Sequence, residues 1–249
     1  MCGNPPACFG PALSLAGAST APAAELQIIA GAGMAAPLKE IGSAFAAATG
    51  HTVVFRFGTT PQLIAMATGS PFDLGVVPRE VLKDAAARAQ FAPPTTPDVA
   101  RVGIGMAVRR GVPKPDIGTP EALKRALLAA NRVASIPASA TGVALAAIYA
   151  QLGITEEMKA RTKAQPGPVQ IADAVVNGEA ELAVFLLNVI NDPRLDIVGP
   201  FPPAVQREVV YTTGLAASPK QPEAAKAFIT YLMSPAAAEK IKAGGLNPG

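Results

Sequence analysis

The stretch over residues 26–58, LQIIAGAGMAAPLKEIGSAFAAATGHTVVFRFG, constrains the fold more than any other part of the chain. Residues 26–29 are a short apolar run of the kind found in strands buried on both faces. Ala30-Gly31-Ala32-Gly33 follows, with almost no side chain, and a helix is predicted to start at Met34 or Ala35. Leu38, Ile41, Phe45 and Ala48 recur at helical spacing and give that helix one apolar face. Gly50 stands where a C-cap glycine belongs, and the β-branched and aromatic run 52–57 reads as a second strand. The whole is a βαβ unit with a bare, glycine-rich turn at the carboxyl end of its first strand. In open α/β sheets ligands bind at that edge, where an uncovered helix N-terminus favours an anion.

The rest of the 249 residues repeats the alternation. Thr60 reads as an N-cap and Pro61 as the first residue of a second helix, whose N-terminus faces the same sheet edge as the first. Residues 73–77 read as a strand, 79–88 as one helix and 99–109 as a long strand. A helix follows from Thr119-Pro120-Glu121, then a strand over 132–136, a small polar loop Pro137 to Gly142 and another helix. Residues 171–176 read as helical, 180–187 and 195–198 as strands, 207–216 as a long alternating strand, and 222–233 and 235–242 as two proline-led helices. Two βα groups joined by two long strands imply a two-lobed α/β protein, with bare loops facing each other across a cleft that can close on a ligand. The expected division is lobe 1 over 25–103 plus 205–249 and lobe 2 over 104–204.

Composition narrows the function. Half the residues are hydrophobic, yet Trp is absent and aromatics make up 5%, so the core must be built from Ala, Val, Leu and Ile. The net charge of +3 is dispersed, with no Lys/Arg block and no aromatic-basic interleaving, which argues against nucleic acid as a partner. Residues 1–24 carry no charge and end in Ala-Pro-Ala-Ala before Glu25, the ending of a secretory signal peptide; the basic segment that usually opens one is missing, so the leader is expected to be incomplete. The mature N-terminus is expected between Ala23 and Leu26. Cys2 and Cys8 both lie in this leader, so the folded part has no disulfide, thiolate metal site or cysteine nucleophile. No His cluster or paired-carboxylate spacing suggests a metal, and no cofactor is expected.

Four stretches together carry a family resemblance: IIAGAGMAAPLKEIGSAFAAATGHTVVFRFGTTPQL, DLGVVP, VGIGMAVRRGVPKPDIGTPEALKRALL and AAKAFITYLMSPAAAEKIKAGGL. In their order and spacing the chain resembles the periplasmic molybdate-binding proteins of ABC importers over residues 26–245. The resemblance implies a type II periplasmic-binding-protein fold, a periplasmic location, a small anionic ligand, a membrane permease as partner and a monomer. It also implies a site: Ala32, Gly33 and Met34 after the first strand, Thr59 and Thr60 after the second, and Ser139, Thr141 and Val169 from the second lobe. Members of that family use serine hydroxyls, amides and a tyrosine. Here Gly33 stands at the first serine position, Thr60 at the second, and Phe185 to Leu187 are apolar where the tyrosine belongs. These departures leave the ligand open between an oxyanion such as molybdate and a small carboxylate.

Two other readings compete. Some proteins resembling this family are periplasmic isomerases of tricarboxylates such as aconitate, and Tyr149, Tyr211, Ser139 and His51 are the acid/base candidates here. A carboxylate would call for a cation: Arg56 can reach into the cleft or point to solvent, and of the adjacent Arg109 and Arg110 at most one faces the cleft. The distant alternative is a dinucleotide-binding oxidoreductase: Gly31-Ala32-Gly33-Met34-Ala35-Ala36 fits G-x-G-x-x-A, with Arg56 where the ribose-binding acid belongs.

Overall fold

In the computed structural model, which describes residues 23–93 and 97–249, the opening apolar run forms β1 (Glu25–Gly31). A single 3-10 turn over Ala32–Met34 leads into α1 (Ala35–Thr49). Leu38, Ile41 and Phe45 on its inner face are buried, each contributing about 1.5–3 kcal/mol by leaving water. The Phe45 ring also meets Phe228 edge-on, with centroids 5.1 Å apart. β2 (Thr52–Gly58) pairs with β1 in parallel, residue by residue from Glu25 opposite Thr52 to Gly31 opposite Gly58. The two strands therefore end level, and the turns that follow them leave the sheet side by side.

α2 (Thr60–Gly69) and β3 (Leu74–Pro78) come next, β3 lying parallel to β1 on its other side. The single helix expected over 79–88 is in fact a 3-10 segment, Arg79–Lys83, and a short α3 (Ala85–Arg88). Asp84 separates them: its backbone is extended and its side chain accepts from the Ala87 N–H at 2.9 Å, capping a new helix instead of continuing the old one. β4 (Asp98–Arg109) is the long strand, followed by α4 (Pro120–Ala129), β5 (Val133–Ser135) and α5 (Ala140–Leu152). α6 (Thr155–Arg161) and β6 (Thr162–Ala164) form elements that the sequence pattern does not predict. α7 (Pro168–Val176), β7 (Leu182–Leu186), β8 (Leu195–Pro200) and β9 (Glu208–Leu215) follow, then α8 (Pro222–Leu232), α9 (Pro235–Ala243) and β10 (Asn247–Pro248).

The strand order is β2-β1-β3-β9-β4-β7-β5-β6. β4 belongs to both halves of this sheet. From Asp98 to Gly103 it pairs with β9, and from Ile104 to Arg109 it pairs with β7 and β8. The chain returns to the first half beside the same point: the Phe201 N–H donates to the Ile104 carbonyl at 3.0 Å. The Gln206 side chain brackets Ile104, donating to its carbonyl at 2.9 Å and accepting from its N–H at 3.1 Å. The two crossings lie against each other, and each half turns the carboxyl ends of its parallel strands toward the other.

Asp73 holds the first half together. It is buried, and its carboxylate accepts from the backbone N–H groups of Gln27 (2.9 Å), Lys220 (2.7 Å) and Gln221 (2.9 Å). It thereby ties β1 to the segment that starts α8. A buried carboxylate is tolerated only when so satisfied, and its removal leaves three N–H groups without a partner. Asp73→Ala is expected to lower stability by about 3 kcal/mol or more, while Asp73→Asn, which keeps an acceptor oxygen, loses less. Urea unfolding of the three proteins measures this; equal midpoints would contradict the assignment.

Candidate functional site

A small cavity of about 30 Å³ lies where the two halves meet. Its walls come from the loops at the carboxyl ends of the strands: Gly31 to Gly33 after β1, Gly58 to Thr60 after β2, Pro78 after β3, and Ile136 with Ser139 to Thr141 after β5. Pro168, Phe185 and Leu186 close the far side, and Val209 and Tyr211 of β9 form the floor.

Six of the residues implicated by sequence meet here: Ala32, Gly33, Thr59, Thr60, Ser139 and Thr141. Two do not line the cavity. Met34 turns into the core, where it is fully buried, and Val169 is exposed, its neighbour Pro168 facing the cavity instead.

The second helix starts one residue earlier than the sequence predicts. Thr59 is the N-cap, not Thr60: the Gln62 side-chain oxygen accepts from the Thr59 N–H at 2.8 Å and from the Thr59 hydroxyl at 3.1 Å. Thr60 is released from capping, and its hydroxyl oxygen reaches across the cleft to accept from the Ala140 N–H at 2.8 Å. A second bond crosses nearby, from the Asn188 side-chain amide to the Gly33 carbonyl at 2.7 Å. α5 likewise starts at Ala140, before the expected position 142, because Ser139 caps it. The Ser139 hydroxyl accepts from the Gly142 N–H at 3.1 Å and donates to the Ile136 carbonyl at 2.7 Å, which commits it to the helix. Thr141, one residue into α5, is buried, and its hydroxyl and N–H have no partner among the described residues.

Of the four acid/base candidates named from sequence, Tyr211 and Ser139 line the cavity, and the position of Tyr211 is where the structure adds most. Its ring lies directly over the glycine turn. A Cβ on Gly31 would stand 2.5 Å from the Tyr211 ring, and the place of a Cβ on Gly33 is 2.4 Å from the Tyr211 hydroxyl. Both glycines are therefore needed for close approach. Burial, and after it the negative charge of Glu80, push the phenol well above the usual tyrosine range, so it stays protonated and neutral.

Among the described residues no Lys, Arg, His, Asp or Glu lines the cavity. The Arg56 guanidinium is engaged outside it, donating to the Ser70 hydroxyl at 2.5 Å and to the Pro71 carbonyl at 2.7 Å. Arg109 and Arg110 are exposed. His51 is half-buried at the far end of β1, where its Nδ1 accepts from the Ala24 N–H at 3.1 Å, and Tyr149 lines a different cavity. With Arg56 so engaged and Tyr211 over the glycines, the turn lacks the open approach that a dinucleotide needs. What remains is a cavity lined by neutral donors: helix-start amides and hydroxyls facing one small space.

This two-halved α/β architecture, with a donor-lined cleft between halves that share a strand, is that of the type II periplasmic binding proteins. The chain belongs to the bacterial extracellular solute-binding protein family, whose model matches residues 26–247. It is 32% identical over 235 residues to an aconitate isomerase from a Pseudomonas species, covering 91% of this chain and 89% of that protein. It is 30% identical over 246 residues to the molybdate-binding protein ModA of Azotobacter vinelandii, covering 92% of each. The fold matches that of the sulfate-binding protein SubI from Mycobacterium tuberculosis H37Rv with a TM-score of 0.72 at 18% identity, covering 90% of this chain and 87% of that one.

The packing of Tyr211 generates a direct expectation. Gly31→Ala places a methyl group into the ring and is expected to cost about 1–3 kcal/mol, the usual cost of overpacking a filled space. Gly31→Ala combined with Tyr211→Leu should recover part of that loss. Melting curves of the single and double variants check it; additive losses would show that the ring and the glycine do not compete for the same space.

Proposed function

We propose that the chain is a periplasmic binding protein that captures a small oxyanion and delivers it to the permease of an ABC importer. The observation that carries this reading is the cavity's donor set: amides and hydroxyls from both halves, with no charged side chain among the described residues lining it. Such donors satisfy the oxygens of a compact anion from several sides. The positive ends of α2 and α5 offset its charge without a counter-ion. A tricarboxylate spreads three negative groups over a larger frame and calls for bidentate cationic partners. The ModA relative, a molybdate-binding protein, supports the same class. In this reading residues 25–103 with 205–249 form one lobe and 104–204 the other, the crossings beside Ile104 acting as hinge. The uncharged leader, whose residues 1–22 lie outside the described residues, serves export, and the protein works as a monomer.

The test is a thermal-shift and calorimetric screen of the purified protein against molybdate, tungstate, sulfate and phosphate. An anion at ~100 times its dissociation constant should stabilise the fold by about 2.7 kcal/mol if it binds the folded state alone. No shift with any of the four would sink the reading.

The aconitate isomerase relative favours a second reading on the same fold. Isomerisation by a 1,3-proton shift needs an acid and a base beside the ligand. Tyr211 is a neutral acid in the cavity, and Glu80, which acts electrostatically on it, has one buried carboxylate oxygen with no partner among the described residues. Proton NMR of trans-aconitate incubated with the protein separates the readings: appearance of the cis isomer makes the chain an enzyme, and its absence together with tight oxyanion binding makes it a carrier.

A further inference from the structure

The turn after β1 ends level with the turn after β2, yet the two differ in what they offer a ligand. The second presents the Thr60 hydroxyl. The first presents Gly33, which has no side chain to offer. The space beside Gly33 is nevertheless filled. The position a Cβ would take there is 2.4 Å from the Tyr211 hydroxyl and 3.4 Å from the ring carbon that bears it. A strand distant in sequence thus puts an O–H group where a hydroxyl on residue 33 would sit.

That O–H group lines the cavity, belongs to a buried residue and has no hydrogen-bond partner among the described residues. A buried polar group is normally paired, and one left open toward a cavity marks a place where something else completes it. Packing alone does not account for it. A phenylalanine would cover Gly31 equally well, since the contact there is with the ring edge.

We propose that Tyr211 is a ligand-binding residue: its phenol donates a hydrogen bond to the bound anion in place of the side chain that Gly33 lacks. This rests on the anion-binding reading above and adds a donor to it: the phenol O–H can donate to any unprotonated oxygen of a tetrahedral oxyanion.

The test measures affinity by calorimetry with molybdate, tungstate, sulfate and phosphate, alongside melting temperature without added anion. Tyr211→Phe should weaken binding of the preferred anion by about ten- to hundredfold, the usual effect of losing one hydrogen bond to a charged group. Its melting temperature without anion should stay close to that of the wild type, because the deleted hydroxyl has no protein partner to abandon. Gly33→Ser alone should bind poorly, since its Cβ collides with the phenol. Tyr211→Phe combined with Gly33→Ser should bind better than either single variant, because it clears the collision and returns a hydroxyl to the same space. If the wild type binds an anion and Tyr211→Phe binds it within about twofold, the proposal is overturned and the anion-binding reading stands. A double variant no better than Tyr211→Phe also overturns it. A wild type that binds none of the four anions removes both.

Discussion

The molecule depends on one strand being shared. β4 gives its first half to β9 and its second half to β7 and β8, so every element of the second half is positioned through the backbone of residues 104–109. The change of partner falls at Gly103 and Ile104. There the returning chain also docks, with the Gln206 side chain standing in for a neighbouring strand residue. Backbone groups at such a changeover would otherwise lose their ladder partners, which is costly in a buried position. Satisfying them with a side-chain amide keeps the crossing intact and leaves it narrow. A narrow crossing is also what allows two packed halves to rotate about it.

The site follows from this arrangement together with the strand register. β1 and β2 end at the same level, so the 3-10 turn at Ala32–Met34 and the start of α2 open at one height. The loop after β5 meets them from the opposite half. On the proposed reading, charge selection here needs no charged residue. Oriented amides and hydroxyls act with greater force in a cleft that excludes water than on a surface, and they need little reorganisation when a ligand arrives. An arginine in the same place would bind more anions and distinguish fewer of them.

Much of this was legible in the sequence, and the exceptions have identifiable causes. The β1–turn–α1–β2 unit follows from an apolar run, two glycines and a helical period, all local signals. The start of α2 was off by one because two threonines precede the proline. The deciding signal was present, since Gln62 stands three residues after Thr59, the spacing of a capping box. α6 and β6 escaped because one is barely two turns long and the other pairs three residues at the sheet edge, too short for either period to show. Val169 and Pro168 exchanged roles because α7 begins at the proline, so the face presented to the cleft shifts by one position. Tyr211 is among the acid/base candidates named from sequence, but its place over the Gly31–Gly33 turn was out of reach for a different reason. Alternation in β9 tells which residues share a face, whereas the neighbour of that face is decided by β9 lying between β3 and β4, a fact of topology.

The hydrogen bond from the Ala140 N–H to the Thr60 hydroxyl has a consequence for how a ligand arrives. An incoming oxygen that takes this amide does so by substitution, making one bond and breaking another of similar kind. The exchange adds little to net affinity, because the donor is satisfied on both sides of the equilibrium. Its effect falls on the rate, since a bond must open inside a cleft of low dielectric before the new one can form. On the proposed anion-binding reading the Ala140 corner would therefore act as a kinetic gate, and the thermodynamics of capture would be decided by the donors that the protein has left unspoken for.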